Sequence, residues 1–224
     1  ITTGADSTAS VTLSLISGTG ALSGTLTKAA VGGVVTFTAT EAAFINLAGL
    51  KTLQATKGAL WVDSSNFTIS HSTIDHFSVS GISDPHTAGS TTSPTVTALD
   101  VYNNPVTTYT GTIAFNSDDA QAVLPANYTF LVGDSGVKTF TNAVTLKTAG
   151  SNFVRVQVSG DATKQGQQSN IDVNPSTVAQ FTVSGITDPH TAGTTTSPTV
   201  TALDAYSNIV TNFADTIVFN SDDA

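Results

Sequence analysis

The chain has 224 residues, of which 39% are apolar, enough to build the core of one or two domains if those residues fall on the right faces. Sixteen acidic residues against seven basic ones give a net charge of −9, which opposes a surface made to neutralise nucleic-acid phosphates or anionic lipid. No run of about eighteen apolar residues is present to span a membrane. Without cysteine, disulfides, thiolate nucleophiles and cysteine-ligated zinc are excluded, and packing and backbone hydrogen bonds must supply the stability. There is no methionine, even at position 1, and no basic stretch leading into an apolar one, a pattern that reads as a processed or internal segment.

Self-similarity organises everything that follows. The stretch Phe77–Ala120 recurs as Phe181–Ala224, offset by 104 residues and identical at about three-quarters of its positions. The run-in matches too, since Phe67, Ile69, Ser72 and Ile74 line up with Ile171, Val173, Ser176 and Val178. Junctions are therefore expected near residues 70 and 174, which divides the chain into 1–70, 71–174 and 175–224.

In chain order, the first predicted element is a strand over Val11–Leu15, which aligns with Thr112–Asn116. The middle unit carries seven predicted strands, at 77–81, 94–99, 112–116, 127–132, 137–146, 151–159 and 168–173. The warrant is period-two alternation, which sends successive side chains to opposite faces: Val154, Val156 and Val158 alternate with Arg155 and Gln157, and Val96 and Ala98 with Thr95 and Thr97. Abundant threonine suits the pleated surface, and turn signals such as Asp84-Pro85, Asn103-Asn104-Pro105, Gly133-Asp134-Ser135-Gly136 and Gly160-Asp161 separate the strands. Seven short strands in about a hundred residues predict an all-β fold, a series of tandem immunoglobulin-like Greek-key sandwiches. The single tryptophan, Trp61, lies in the first unit, so the middle core must be aliphatic and phenylalanine-based.

Asp100-Val101-Tyr102-Asn103-Asn104-Pro105-Val106, with the downstream runs LPANYTF, DSGVKTFT and VTLKTAG, resembles the tandem immunoglobulin-like repeats of large prokaryotic surface proteins, the invasin and intimin type and related adhesin arrays. The first unit, with GTGALSGTLTKAAVGGVVTFTAT, looks like a divergent sister. Asn103 stands where that family usually has glycine, and the second copy, Asp204 to Val210, lacks the proline. The resemblance implies an extracellular, non-catalytic array used as a stalk, fibre or adhesin.

The first unit starts at a strand equivalent to the third, and residues 175–224 hold only the first three strands of a sandwich. Such a half-sandwich exposes an apolar face and open edges. Two explanations stand: a stretch of a longer array, or completion of one subunit's first unit by the strands near 181–185 and 198–203 of another, giving a head-to-tail filament.

Loops of successive sandwiches gather at the junctions, so Asp84, Asp118 and Asp119 are expected to face Asp204, an all-oxygen set suited to an interdomain Ca²⁺; ordinary capping of backbone amides is the competing reading. Asn66-Phe67-Thr68 and Asn127-Tyr128-Thr129 match the N-glycosylation pattern. His86 and His190 recur in the Asp-Pro-His turns and His71 and His76 flank the first junction, where structural roles are expected. No Gly-x-Ser-x-Gly elbow, HExxH, Walker loop or dinucleotide fingerprint is present, so no catalytic residue is assigned. A lysine–asparagine cross-link is not expected, because Phe77–Gly81 holds no lysine and the only glutamate is Glu41. The leading expectation is a non-enzymatic segment of a secreted or surface-displayed fibre whose partner is itself. Its rivals are an adhesin stalk whose ligand-binding head lies outside this segment or whose loops bind glycan through Tyr102, Tyr206 or Trp61, and a spacer module of an extracellular polysaccharide-degrading enzyme.

Overall fold

The computed structural model describes residues 10–38 and 45–221, and Glu41 lies outside them. The chain divides into two compact units, Ile1–His76 with Ala98–Tyr109, and Phe77–Thr97 with Thr110–Ala224. This division differs from the one drawn on the repeats. Residues 98–109 fall in the first unit because Asp100 and Asn104 hydrogen-bond the backbone at Ser72 and at 46–48.

The first unit carries one sheet, built from β1 (Ser10–Ser17), β2 (Thr27–Ala29), β3 (Gly49–Lys57), β4 (Leu60–Asp63) and β5 (Phe67–Ile69). Its order is β2-β1-β3-β4, with β5 also paired to β3. A two-residue turn containing Gly58, at φ 58°, joins β3 to β4 and sets the register Lys57↔Leu60. The Val11–Leu15 prediction falls inside β1. Within these strands Lys51 is the buried residue, while Leu60, Trp61 and Val62 of β4 are all exposed.

In the rest of the chain, β6 (His76–Ser80) and β9 (Thr95–Leu99) run across the division between the units. The second unit continues with β7 (His86–Thr87), β8 (Thr91–Thr92), β10 (Thr112–Ser117), β11 (Tyr128–Thr129), β12 (Val137–Thr139), β13 (Val144–Thr145), β14 (Gly150–Val158) and β15 (Asp161–Asn174). One layer is β12-β9-β6, extended by β13-β8; the other is β11-β10-β14-β15-β7. Besides its sequence neighbour β11, β10 pairs with the distant β14, and that crossover gives the Greek-key connection of an immunoglobulin-like sandwich.

Alternation places Ile113, Val154, Val156, Val144, Leu146 and Ile171 between the layers, each essentially inaccessible and contributing about 1.5–3 kcal/mol by burial. Aromatic edges fill the far end. Phe140 meets Phe115 at 4.9 Å and Tyr128 at 5.3 Å, both T-shaped, so the core is aliphatic and phenylalanine-based as the composition requires. Gly166 marks the closest approach of the layers, since a Cβ there would overlap the Phe77 carbonyl.

The third repeat forms only the hairpin of β16 (Gln180–Ser184) and β17 (Thr199–Leu203), in register Gln180↔Leu203. The expected third strand, equivalent to β10, is not in a ladder: residues 214–221 carry no strand assignment. In the complete sandwich β10 is held by β14 and β11, and the third repeat has neither beside it. No helix among the described residues is long and apolar enough to cross a membrane.

Candidate functional site

The most elaborate polar construction in the molecule is the turn that follows β9, and it occurs twice. Asp100 closes β9 with its side chain folded back on the chain. One carboxylate oxygen accepts the Tyr102 and Asn104 amides at 2.9 and 2.8 Å, and the other accepts the Ser72 amide at 2.8 Å. This is an aspartate turn, and it needs a residue at positive φ to come round; Asn103, at φ 64°, supplies it where glycine is usual. Asn104 is buried in the turn, its side-chain amide held by Asp100 at 3.0 Å. That hold leaves Asn104 aimed at the loop before β3. Its Nδ2 donates to the Asn46 carbonyl at 2.7 Å, and its Oδ1 accepts from the Ala48 amide at 2.8 Å.

The second copy reproduces every bond. Asp204 accepts the Tyr206, Asn208 and Ser176 amides at 2.8, 2.9 and 3.0 Å, and Ser207 sits at φ 69°. Asn208 donates to the Lys147 carbonyl at 2.7 Å and accepts from the Ala149 amide at 2.8 Å. The loops gripped, Asn46-Leu47-Ala48-Gly49 and Lys147-Thr148-Ala149-Gly150, share only Ala-Gly, because the asparagine reads backbone: a C=O and the N–H two residues on. Burial pushes the Asp100 carboxyl up, but the Ser72, Asn104 and Tyr102 donors outweigh it and hold the pKa down from 3.8 to about 2. Asp204 is lowered likewise: burial raises it, and the bonds from Asn208, Ser176 and Tyr206 more than offset this.

Each loop is also fixed from its own side. In the complete sandwich Asp119 accepts the Lys147 and Thr148 amides at 2.6 and 3.0 Å and the Thr148 hydroxyl at 2.6 Å, and Asn152 donates to the Thr148 and Gly150 carbonyls. In the first unit Lys51, at the position of Asn152, is buried and donates to the Thr19 and Ala48 carbonyls at 2.7 and 3.4 Å. Its ammonium lies where a side chain at Gly18 would collide with it.

Tyr206 adds an apolar lock to the second joint. Its ring packs on the cluster of Ile82, Ala88, Leu146, Val154 and Ile171, and Lys147 Nζ stands 5.7 Å from the ring centre. It lies on Gly89, at φ 82°, where any added Cβ would overlap the ring. Beside this joint an open crevice of about 640 Å³ is lined by Pro175, Ser176, Asn212, Phe213 and Asp215 among others.

Each of the four carboxylates named for an interdomain Ca²⁺ meets backbone or side-chain donors. Asp84 accepts the Asp172 amide at 3.1 Å, Asp118 the Phe153 amide at 2.8 Å, and Asp119 and Asp204 are occupied as described. Among the described residues no group of three or more His, Asp or Glu side chains could hold a metal ion. His86 is buried, with its ring nitrogens met by Ser83 Oγ at 3.1 Å and by Ser90 at 3.2 Å. His190 repeats that turn with Thr187 and Thr194 but is exposed; His71 bonds Ser72 and Thr108, and His76 bonds Asp75 and Asn103. Asn66 and Asn127 are both exposed, and Asn66 Oδ1 accepts the Thr52 hydroxyl. Of the aromatic platforms, Trp61 and Tyr102 are exposed, whereas the joint covers the face of Tyr206.

Sequence reasoning quoted the Asp-to-Asn turn but assigned no role to Asn104 or Asn208, and it missed Lys51 and Gly89. The signal was present: Asp-x-x-x-Asn recurs at 100–104 and 204–208, and Ala-Gly recurs at 48–49 and 149–150.

No protein-family model matches the chain, and no curated protein matches it. Among solved structures it is similar to domains 4–9 of the surface layer protein SbsC, at 17% identity over 94% of this chain and 30% of that one, with a TM-score of 0.33. It is also similar to the Escherichia coli adhesin FdeC, at 22% identity over 74% of this chain and 53% of that one, TM-score 0.39. A third is Bacteroides uniformis β-glucuronidase 3, at 12% identity over 73% and 21%, TM-score 0.35. The chain thus spans less than two thirds of each.

Proposed function

We propose that this chain is a non-catalytic structural segment of an extracellular, surface-displayed fibre, in which immunoglobulin-like sandwiches are set in series. The observation that carries the reading is the clamp: the same Asp, Asn and backbone atoms form it at residues 100–104 and 204–208. The segments that join the repeats, 70–75 and 175–179, are six and five residues long and are held by such bonds, so they cannot act as a random coil, and tension applied at one repeat passes to the next with little slack. Small-angle scattering tests this. Asn208→Ala should broaden the distribution of lengths relative to the wild type; a distribution that the substitution leaves unchanged refutes the reading.

The same reading extends to head-to-tail assembly. At matched positions Phe77 is 3% exposed and Phe181 46%, Val79 7% and Val183 55%, Ile82 5% and Ile186 57%. In the second repeat the layer holding β10, β14 and β15 covers those residues, and the first unit owns a sheet of the same order, β2-β1-β3-β4. The occupant proposed for the apolar face of β16 and β17 is therefore the β1–β5 sheet of a second copy. Covering three half-exposed side chains contributes on the order of 1 kcal/mol each before any backbone pairing. Native mass spectrometry across a concentration series should show a ladder of multimers; a monomer at every concentration removes the assembly and leaves the rigid array standing.

A second reading, glycan binding by an adhesin stalk, is favoured by Trp61, which is 67% exposed on β4 near the Gln54–Asp63 hydrogen bond of 2.9 Å. A glycan array with no response from the wild type, or the same response from Trp61→Ala, removes it.

A further inference from the structure

Tyr206 and Tyr102 occupy the same position in the two copies of the clamp, yet their surroundings differ. Tyr206 is half-buried on Gly89 and the core behind it, while Tyr102 is 47% exposed. The turn that receives Tyr206 is anchored in a specific way. β7 pairs in parallel with the end of β15, Val173↔His86; the Ala88 amide bonds the Asn174 carbonyl at 2.9 Å, and the Gly89 amide bonds the Leu146 carbonyl at 2.8 Å, one residue before the gripped loop. Turn, strand end and loop together make a socket with a glycine floor.

The chain holds the parts of a second such socket in an unassembled state. The turn recurs as His190-Thr191-Ala192-Gly193, with Gly193 at φ 79°. Around Gly193 a Cβ would meet nothing within 4 Å, and His190 is exposed where His86 is buried. The strand end recurs as Ile69 of β5, and the loop recurs as Asn46-Leu47-Ala48, preceded by Ile45 in place of Leu146. Asn104 already grips that loop in the first unit, and Tyr102 stands two residues before Asn104.

We propose that Tyr102 is the docking residue between copies of this chain: it seats on the Ala192–Gly193 turn of a second copy as Tyr206 seats on the Ala88–Gly89 turn of its own. This rests on the head-to-tail reading and names the contact that fixes its register. In the assembled pair His190 of the incoming copy lies along Ile69 and its Gly193 amide meets the Ile45 carbonyl, so the free turn gains the anchors that the 86–89 turn has. Gly193 is the specificity-determining position, because any side chain there would fill the space the ring requires.

The test combines photo-crosslinking with two substitutions. A benzophenone-bearing phenylalanine replaces Tyr102, and crosslinked peptides are mapped after irradiation of the full chain; the same replacement at Tyr206 is the control and should link to 86–90 within one chain. The expected result is covalent multimers joined from position 102 to residues 190–194. Tyr102→Ala and Gly193→Leu should each weaken self-association about 30-fold or more, as for a buried aromatic anchor. Tyr102 is exposed in the single chain, so Tyr102→Ala should leave the melting temperature of the monomer unchanged; Gly193→Leu also strains a turn at φ 79°, and its association is compared on monomer shown to be folded. If the wild type associates but the crosslinks map elsewhere, or both substitutions leave association intact, the Tyr102 contact is overturned while the head-to-tail reading survives. If the wild type never associates, both fall.

Discussion

Replacing Asn208 with alanine isolates the clamp from everything else that holds the second joint. The substitution removes the bond to the Lys147 carbonyl, the bond from the Ala149 amide and the side-chain bond to Asp204, while the Asp204 turn keeps its backbone donors. Two bonds across the joint at about 1 kcal/mol each give a floor of about 2 kcal/mol, and the buried groups left without partners raise the cost to about 4 kcal/mol. Joint opening should therefore become about 30-fold to several-hundred-fold more frequent. The Ala149 amide reports it directly, since its protection against hydrogen exchange comes from Asn208 Oδ1. Amides of β14 inside the sandwich, such as Val154 and Val156, serve as the internal control because their ladder does not involve the joint. An Ala149 exchange rate within about threefold of wild type would refute the idea that this asparagine holds the 147–150 loop to the turn after β17.

Three further outcomes follow from single features. Gly166→Ala puts a methyl group into the Phe77 carbonyl and should destabilise the complete sandwich by about 3 kcal/mol or more, read by chemical denaturation; a loss under about 1 kcal/mol would mean the layers are not as close as described. The clamps should weaken in acid: Asp100, held at about 2 against an ordinary 3.8, stabilises the fold above its ordinary value, and the contribution drains away as pH falls through about 2. Asp204 and Asp119 are lowered as well and act with the same sign, so melting should be level from about pH 7 to 5 and drop below about 4, and equal melting temperatures at about pH 5 and 2.5 would contradict this. Millimolar Ca²⁺ should leave the melting temperature unchanged, since the junction aspartates are already occupied by N–H and O–H donors; a calcium-dependent rise abolished by Asp119→Asn would reverse that conclusion.

The sandwich was legible because its strands alternate cleanly and its repeat aligns the copies. Where the reading failed, a partner rather than a propensity decided. Thr112–Asn116 and Thr216–Asn220 differ at one residue, Ala114 against Val218, yet one is a strand bonded to β14 and the other is not in any ladder. The predicted strand 137–146 is broken between β12 and β13. It follows its partner: Pro94 interrupts the ladder between β8 and β9 because it has no N–H, and the opposite chain turns through Asn142 at φ 49° to stay in step. At the joint, the aspartates were visible as chemistry but not as geometry. Capping and metal binding call for the same oxygens, and only the positions of neighbouring amides, set by residues 28 or more apart such as Ser72 with Asp100, separate the two.

That choice has a consequence for how such an array can vary. An asparagine that reads a carbonyl and an amide tolerates almost any side chain at the loop it grips, and Asn46-Leu47 and Lys147-Thr148 are indeed unrelated. What the clamp cannot tolerate is a change in backbone path, which is why the loops agree at Ala-Gly and why both glycines, Gly49 and Gly150, lie at φ near 120°. Sandwiches can then diverge in core and surface, even exchanging Asn152 for a buried Lys51, while the clamp's own bonds are preserved. Specificity has to come from elsewhere, and the tyrosine on its glycine floor is the part of the joint with a shape that a side chain can block.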